Sequence, residues 1–450
     1  TPSIRFSHSR QGSVRFPKIP VHSKGNTDEE VFSFSACLRY TLKVIAQSLS
    51  QLSGKFGESI DLLASTALVW MPFLFSFVLF QTWIMYSRAK FIHAQGSVLL
   101  EIKLPQEILQ SPAAMELVFV QLWQARDPTY IEGYIKGEVR NWFSVELVSI
   151  GGTIHFFVWT AKTFQRLVET SIYAQYPTVE IYEAEDYAAK VYHDPEHFIY
   201  WFTYFKLTGK DAYPIKTYID YGLDKNPEEE YKIDPLTSLL EYLGSLKKGE
   251  QTWIQILIQA HRKTSWRDIT LPKDDWRKQI KDEIKKIIKE AQPEGTDKPS
   301  MLNLTEDKKD IINALERSMG KFAFETIIRG YYLAEKDAFK SVAIPGLIGC
   351  LRQFSASNRN GFRLGKFSAF RYPWQDFRNL MKRIIERRML DSYKRRSFFN
   401  PPNKHYRATP YILTTEELAT LFHFPGKIAA TPTVERIPSK KGAAPTNLPI

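Results

Sequence analysis

The sequence predicts an α+β protein in which one transmembrane helix precedes a ferredoxin-like β-α-β-β-α-β domain and a second α+β domain with a helical insertion and a basic helical end. Three observations predict this class: a long uncharged apolar run near residue 70, alternating strand and helix patterns after it, and a basic excess near the C-terminus. The 450 residues are 44% hydrophobic and 24% charged, which excludes a disordered or collagen-like chain.

An uncharged apolar run of 26 residues extends from Leu62 to Ser87 and predicts a transmembrane helix within residues 61–90. At 1.5 Å per residue such a helix reaches about 39 Å, enough to cross a hydrocarbon core of about 30 Å with tilt. Interfacial aromatic side chains and a tolerated proline fit this assignment. The residues that we place in the span are Leu62, Trp70, Pro72, Trp83 and Tyr86. A buried helix of a soluble core is the alternative.

Positive charges near the two ends of the run predict its orientation. Lys43 and Lys55 precede it, and Arg88, Lys90 and Lys103 follow it. Because cytoplasmic flanks carry the excess of Lys and Arg, we expect a single-pass protein of the cell inner (cytoplasmic) membrane with cytoplasmic C-terminal domains. Residues 1–60 form a polar N-terminal segment with an amphipathic stretch.

The region 97–187 has the periodicities of the ferredoxin-like domain. A two-residue hairpin turn at Gly151-Gly152 joins its middle strands, since glycine adopts positive φ without strain. The predicted elements are the strand Val98–Leu104, a helix opened by Ser111-Pro112, the strands Trp142–Ile150 and Thr153–Trp159, a helix capped by Thr160, and the strand Thr178–Glu183.

Alternation along these strands separates two faces of the sheet. The residues assigned to the helix-covered face are Phe143, Val145, Leu147, Ile154, Phe156, Val158, Val179 and Ile181. The opposite face carries Trp142, Phe157, Trp159, Tyr182, Glu101, Glu146, His155 and Glu180. Exposed aromatics on a four-stranded sheet are typical of RNA-recognition modules, but three carboxylates would repel phosphate. We therefore expect a protein contact on this face.

The region 196–360 predicts a second α+β domain, and one interpretation is that it is a diverged copy of the first. Its predicted strands are 198–207, 252–260 and 322–333. Its predicted helices are one that begins at Asp234-Pro235, one from Thr305 to Met319 and one from Ala338 to Phe354. A helical insertion, 272–300, carries Trp276, Ile280, Ile284 and Ile287 at helical spacing. We expect the insertion to be an exposed arm with one docking stripe.

The charge excess is concentrated in the predicted basic helical region, 361–425. Lys and Arg exceed Asp and Glu by 61 to 49 in the whole chain, but residues 361–408 alone carry thirteen basic and three acidic side chains. A helix predicted from Trp374 to Tyr393 buries Phe377, Leu380, Met381, Ile384 and Ile385. The candidate polyanion-binding residues are Arg378, Lys382, Arg383, Arg387, Arg388, Lys394, Arg395 and Arg396. DNA, anionic lipid, acidic protein and mere solubilisation remain alternatives.

Motifs for catalysis are absent from the sequence. No GxxxxGK[ST], HExxH, GxSxG, CxxC or GxGxxG occurs, and the two cysteines, Cys37 and Cys350, are too far apart in sequence for a Cys-based zinc motif. His193 and His197 are the closest histidine pair, but Pro195 between them favours a loop over a metal site. The sequence therefore predicts no enzyme activity and no cofactor in these residues.

Several stretches resemble the N-terminal, pre-ATPase region of membrane-anchored type IV secretion and conjugative DNA-transfer ATPases of the HerA-FtsK class. They are YIEGYIKGEVRNWFSVELVSIGGTIHFFVWT, IYAQYPTVEIYEAEDY, LLEYLGSLKKGEQTWIQILIQAHR and ELATLFHFPG with PTVERIPSKKGAAPTNLPI. The resemblance covers roughly residues 97–450, and its motifs are structural rather than catalytic. In such proteins a segment like Leu418–Pro425 and a Pro-rich joint like 426–450 lead into a nucleotide-binding domain.

The resemblance implies a non-catalytic anchoring and assembly region of a bacterial conjugation or secretion system coupling protein. It also implies homo-oligomerisation or other secretion-system subunits as partners, and an ATPase domain downstream in the same polypeptide. DNA could contact the basic region. The alternative is a stand-alone, membrane-tethered nucleic-acid-binding protein that uses residues 361–408.

Overall fold

The computed structural model describes residues 65–105, 108, 110–224, 233–262, 276–290, 304–368, 370, 372, 374, 376, 378–400, 408–426 and 436–437. The chain divides into two compact units, residues 1–80 and 81–450. Leu62, Phe377, the N-terminal segment 1–60 and most of the Pro-rich linker lie outside the described residues.

The apolar run forms a long helix, α1, from Ala67 to Gln95. It is long and apolar enough to cross a membrane, and few residues of its most apolar stretch are buried. Leu68, for example, is 91% exposed. The helix includes Trp70, Pro72, Trp83 and Tyr86, and it continues to Gln95, beyond the predicted limit at residue 90.

Mixed α and β structure follows α1 in the predicted order. The elements are β1 (Ser97–Pro105), α2 (Pro112–Leu122), β2 (Phe143–Ile150), β3 (Thr153–Ala161), α3 (Gln165–Gln175) and β4 (Glu180–Glu183). All adjacent strands of this part are antiparallel, in the order β4-β1-β3-β2. Gly151 and Gly152 have φ of 60° and 93° and form the predicted β2–β3 turn.

The next part of the chain repeats this arrangement. The elements are β5 (Phe198–Leu207), α4 (Leu236–Gly244), β6 (Glu250–Ala260), α5 (Trp276–Glu290), α6 (Glu306–Met319), β7 (Ala323–Glu335), α7 (Ala343–Gly349) and β8 (Phe362–Phe367). The strand order is β8-β5-β7-β6, again antiparallel. Reading β5, β6, β7 and β8 as the first to fourth strands gives the same order as in the first part.

One sheet of ten strands within the described residues unites both parts. β2 and β6, the second strands of the two parts, pair antiparallel from Phe143 to Ile150. Two further strands, β9 (Tyr411–Thr414) and β10 (Arg436–Ile437), pair with β7 and β1. Strands from both predicted domains therefore share one continuous hydrogen-bonded sheet.

Helices cover one face of this sheet. On α2 the buried residues include Met115, Val118, Phe119 and Leu122. Packed against α2 is α9 (Thr415–Leu421), which Thr414 opens with a capping box to Glu417. Phe422 and Phe424, which follow α9, make edge-to-face contacts with Phe156. The ELATLFHFPG stretch is thus a part of the core.

The predicted insertion docks through its predicted stripe. Trp276, Ile280 and Ile287 of α5 are buried, and Ile284 is half-buried. They pack in a second, smaller core with α6, which includes Ile312 and Leu315. The amphipathic pattern correctly identified both the helix and its buried side.

Several local predictions were wrong. Thr160 does not cap a helix: it lies within β3, which ends at Ala161, and a turn of 3-10 helix precedes α3, whose N-cap residue is Phe164. The helix predicted from Ala338 to Phe354 is only α7, because a 3-10 turn follows at Arg352–Phe354. The basic end is not wholly helical, since β8 pairs with the edge of β5 and β9 with β7.

Candidate functional site

The basic helix α8 extends from Leu380 to Lys394, a shorter span than predicted. It begins late because Asn379 has φ 54°, a left-handed conformation that cannot continue a helix. Its N-terminus is fixed by Asp376, whose carboxylate accepts a hydrogen bond from the Lys382 backbone N–H at 2.7 Å.

The orientation of α8 differs from the prediction. Leu380, Met381 and Ile384 are 45–54% exposed, whereas the buried residues are Glu386, Met389, Leu390 and Tyr393. Ile385 is half-buried. The helix is rotated because Tyr393 joins a polar network on the sheet. An exposed apolar strip therefore lies beside the basic side chains of α8.

The predicted polyanion-binding residues separate into two groups. Arg378, Arg383, Arg387, Arg388 and Arg395 are exposed, and Lys382 and Lys394 are half-buried. Arg396 is only 1% exposed. It faces the sheet, and its charge is neutralised there, so we remove it from the candidate surface.

Arg396 forms a buried ion pair with Glu146 of β2. Its Nε and Nη2 donate to the two carboxylate oxygens at 3.0 and 3.1 Å. Asp186 accepts two further hydrogen bonds from the same guanidinium. Burial alone would raise the pKa of Glu146, but Arg396 outweighs it and holds that pKa below its usual range. The pair is therefore ionised inside the protein.

Neutral groups complete the hydrogen bonding of Glu146. Ser144 Oγ donates to its carboxylate at 2.7 Å, Gln255 Nε2 at 2.8 Å and Tyr187 OH at 2.7 Å. Tyr187 OH also lies 2.8 Å from Tyr393 OH of α8. Because so many groups, Tyr393 of α8 indirectly among them, are arranged around one buried charge, this hydrogen-bond network specifies where α8 packs.

A second buried arginine holds the segment after α8. Arg329 of β7 donates to the backbone oxygen atoms of Ser392 and Ser397 at 3.0 and 2.6 Å. Trp142 Nε1 donates to the Arg396 backbone oxygen at 2.7 Å. The chain from Ser392 to Ser397 is thus attached to β2 and β7 on the sheet face opposite α2.

A cavity of about 580 Å³ lies beside this segment. One wall is the C-terminal end of α1 with the start of β1, from Ala89 to Ser97. The sheet contributes Trp142 and Trp159, and the third wall is the segment from Lys394 to Asn400. The volume is within the usual range for small-molecule sites.

The cavity walls are amphipathic. Ile92, Trp142, Trp159, Phe398 and Phe399 supply apolar surface, and the two tryptophan rings lie 5.7 Å apart. Lys394 and Arg395 supply positive charge, and Asp186 is already bound to Arg396. Two lining residues carry buried side-chain atoms without a hydrogen-bond partner, Ser397 Oγ and Asn400 Nδ2.

The end of α1 is fastened to the loop before β2. Trp83 Nε1 donates to the Tyr134 backbone oxygen at 3.0 Å, and Gln95 Nε2 to Asn141 Oδ1 at 3.3 Å. Gly137 has φ 75°, and a Cβ there would lie 2.2 Å from the Ser87 carbonyl carbon. Only glycine permits this approach, so Gly137 sets the position of α1 against the loop.

The sheet face predicted to make a protein contact is partly covered by the chain itself. Glu146 and Trp142 are buried against the segment after α8, and Phe157 is buried against the Tyr187 ring, while Tyr182 remains 49% exposed. His155 Nδ1 and Glu101 Oε1 lie 2.8 Å apart. Sequence alternation found this face correctly, but Arg396, which pairs with Glu146 on it, is 250 positions away.

The histidine pair of the sequence does not converge. His197 contacts Asp194 at 2.6 Å, whereas His193 lies 3.4 Å from Glu386 of α8. Among the described residues, no group of three or more His, Cys, Asp or Glu side chains could hold a metal ion.

Most of the cavity residues have no signature in the sequence. The sequence pattern identifies Trp142 and Trp159 only as aromatic residues of one sheet face, and no sequence pattern identifies Phe398, Phe399 and Asn400. Their convergence depends on the turn at Arg396, which has φ 46°. The one available signal was the basic run Lys394–Arg396 between aromatic residues.

A family described as a domain of unknown function (DUF8128) matches residues 135–436 of this chain. The matched range contains β2, both buried arginines, α8 and the sheet half of the cavity. The comparison with curated proteins finds no match.

Proposed function

The chain belongs to the DUF8128 family, and we propose that it is a non-catalytic, membrane-anchored assembly region. The observation that carries the proposal is α1: exposed apolar side chains along a helix that is followed after a single residue by β1 of the ten-stranded sheet. Such a surface is costly in water and favourable in a bilayer. The large sheet then has the role of a scaffold at the membrane.

We propose further that the assembly is a type IV secretion or conjugative DNA-translocation machine. The four stretches that resemble its pre-ATPase regions support this proposal. The ELATLFHFPG stretch is buried in the core here, as a segment that fixes the exit of the chain should be. The coding sequence downstream of Ile450 tests the idea. A GxxxxGK[ST] motif within about a hundred residues supports a motor partner, and its absence contradicts that form of the proposal.

The ferredoxin-like class of the region 97–187 belongs to the same proposal. Strand order β4-β1-β3-β2 with α2 and α3 between the strands supports it. The second part has the corresponding strand order, β8-β5-β7-β6, and this likeness supports an internal duplication. Two such units joined along β2 and β6 would give a wide rigid platform, which suits an assembly role.

Membrane anchoring is tested by alkaline carbonate extraction of membranes that contain the full chain. We expect the chain to stay in the pellet, and the double variant Leu74→Arg, Val78→Arg to be extracted, because two arginines in the apolar run oppose insertion. Leu117→Arg, an exposed leucine of α2, is the matched control and should stay in the pellet. Extraction of the unaltered chain would contradict anchoring.

We expect the inner (cytoplasmic) membrane, single-pass topology and cytoplasmic C-terminal domains. Arg88, Lys90 and Lys103 support this orientation. Trypsin outside inverted vesicles should then cut the exposed Arg387 and Arg388 region, and trypsin outside right-side-out cells should not. The reverse pattern would contradict the orientation.

A second candidate function is nucleic-acid binding by the basic residues of α8. It is favoured by the exposure of Arg378, Arg383, Arg387 and Arg388. The detergent-solubilised chain should then bind duplex DNA with a steep salt dependence, which Arg383→Glu, Arg387→Glu and Arg388→Glu together flatten. No binding at low salt would eliminate this candidate.

A further inference from the structure

The loop before β2 exposes apolar side chains beside the end of α1. This loop, residues 129–137, contains a π-helical turn, Glu132–Lys136. Ile131 and Ile135 are 65% and 62% exposed, and Tyr130 is exposed as well. Single π-helical turns are rare and occur frequently at functional sites. Apolar side chains grouped on the surface in this way indicate that the loop contacts another surface.

The apolar residues of the 129–137 loop are arranged in two pairs. Tyr130 and Tyr134 stack with their ring centroids 6.2 Å apart and their planes 12° apart. Ile131 and Ile135 have the same spacing of four positions, which makes two side chains neighbours on a helical surface. Tyrosine is enriched at membrane–water interfaces because its ring is apolar and its hydroxyl group is polar. The residue types of the loop therefore fit a membrane interface.

Contacts with α1 hold the 129–137 loop at one level of that helix. Trp83 Nε1 donates to the Tyr134 backbone oxygen at 3.0 Å, and the Gly137 backbone lies against Ser87. The uncharged run of α1 ends at Ser87, and Arg88 follows it. In a membrane-spanning helix, the change from apolar to basic residues and the tryptophan before it mark the interface. The loop is therefore at the level at which α1 leaves the bilayer.

The charged side chains of the 129–137 loop are compatible with contact with lipid. The Glu132 carboxylate accepts a hydrogen bond from the Thr129 backbone N–H at 2.9 Å and forms an ion pair with Arg126 at 3.2 Å. Lys136 is exposed, and a lysine can lay its apolar stem along lipid while its ammonium group stays among the headgroups. The negative charge of the loop is thus compensated within the protein.

We propose, on the premise that the chain is anchored by α1, that the 129–137 loop inserts Ile131 and Ile135 into the membrane interface as a second membrane contact. The surface that covers these side chains is the boundary between headgroups and acyl chains in the leaflet where α1 ends. Tyr130 lies beside them at the level of the headgroups. Two attachments, α1 and the loop, restrict rotation of the ten-stranded sheet about the axis of α1, which a single helix would permit.

Spin-label depth measurements on the full chain in vesicles of phosphatidylcholine and phosphatidylglycerol test the proposal. Labels are attached to Ile131→Cys or Ile135→Cys after Cys37→Ser and Cys350→Ala. Collisions with oxygen, which concentrates among acyl chains, and with a water-soluble nickel chelate report the depth of each label. We expect both labels about 5–10 Å into the boundary of headgroups and acyl chains. The control, Val342→Cys, replaces an apolar residue at least as exposed and should stay accessible to the nickel chelate.

The two collision reagents distinguish lipid from water and from a protein partner. Nickel access at positions 131 and 135 equal to that at 342 would overturn the proposal, because the loop is then in water. Exclusion of both reagents would also overturn it, since a label beneath a protein partner meets neither. A label at Leu79→Cys in α1 separates this proposal from its premise: if the nickel chelate reaches that label too, anchoring itself has failed and the inserted loop with it.

Paired substitutions test whether the two isoleucines hold the loop in the membrane. Ile131→Asp with Ile135→Asp should return a label at Tyr130→Cys to water, so that its nickel access rises to the level at position 342. The control, Ile233→Asp with Val342→Asp, adds the same charge at exposed apolar residues elsewhere and should not move the label. Because all four side chains are exposed, both pairs should melt as the parent does. Unchanged exclusion of nickel at position 130 in the first pair would contradict the proposal.

Discussion

Arg396 binds Glu146 through two hydrogen bonds inside the protein, across 250 positions of sequence. The pair fixes the C-terminal basic segment on the sheet and places one of the cavity walls. The basic pattern of the sequence places Arg396 among the polyanion-binding candidates, but this ion pair makes it a structural residue. Removal of one partner from such a pair strongly destabilises the fold, because the other charge is left buried without its counter-charge.

Arg396→Met should destabilise the protein by about 3–5 kcal/mol. The double variant Arg396→Met, Glu146→Gln should recover part of this loss, because the fully buried carboxylate is then gone and Asp186, the other partner of Arg396, has a side chain that is 31% exposed. Chemical unfolding of the purified variants in detergent measures the free energy of unfolding of each. If the double variant is as unstable as the single one, the ion pair is not the cause of the loss.

Stability should depend on pH through Glu386 of α8. Burial raises the pKa of Glu386 to about 7, although Lys382 and Arg383 lower it, and burial also lowers the pKa of the neighbouring His193. The folded protein therefore binds a proton that the unfolded chain releases near its ordinary pKa, so this carboxyl group reduces stability as the pH rises to about 7. Glu386→Gln should stabilise the chain by about 1–3 kcal/mol at pH 8 and change little at pH 4. Thermal melts across this pH range measure the difference, and an equal effect at both values would contradict the titration of Glu386.

Gly137→Ala should move α1 away from the loop before β2. Its Cβ would clash with the Ser87 backbone, and its φ of 75° strains any other L-residue, so we expect a loss of more than about 2 kcal/mol. The control is Gly222→Ala, which has φ 69° but no atom within 4 Å of a new Cβ and should lose only about 1 kcal/mol. Comparable melting temperatures for the two variants would show that the close approach to α1 is unimportant.

The rotation of α8 predicts which of its apolar residues stabilise the fold. Leu390→Ala should cost about 2–5 kcal/mol because Leu390 is buried, whereas Ile384→Ala should stay within about 0.5 kcal/mol because Ile384 is 45% exposed. Denaturant unfolding of the two variants compares them directly. The opposite ranking would restore the orientation that the sequence pattern predicts.

Long periodic segments were predictable from the sequence because one local pattern determines the secondary structure and the buried side of each segment. The alternation around Val145 and Leu147 identified the covered face of β2, and the stripe of Trp276 and Ile280 identified the docked side of α5. The apolar run before Ser87 predicted α1 by length and composition alone. In each case the deciding interaction repeats every two, or every three to four, residues.

The candidate site could not be predicted in this way. On α8, two apolar stripes compete, and the choice between Ile384 and Leu390 depends on whether Tyr393 reaches Tyr187, which is distant in sequence. Glu146 alternates like any other residue of β2, so nothing local predicts that it is paired with Arg396. A single contact between two residues that are distant in sequence leaves no periodic pattern in the sequence. The cavity consists of such contacts, so the sequence did not predict it.

Photolabelling from within the bilayer tests the central claim of membrane anchoring most directly. A lipid-soluble diazirine reagent is activated in vesicles that hold the full chain, and the modified residues are found by peptide mass spectrometry. We predict labels on α1 between Ala67 and Tyr86 and none on the strands β2, β3, β6 and β7. Absence of label from that part of α1, with the chain present in the vesicles, would contradict the account.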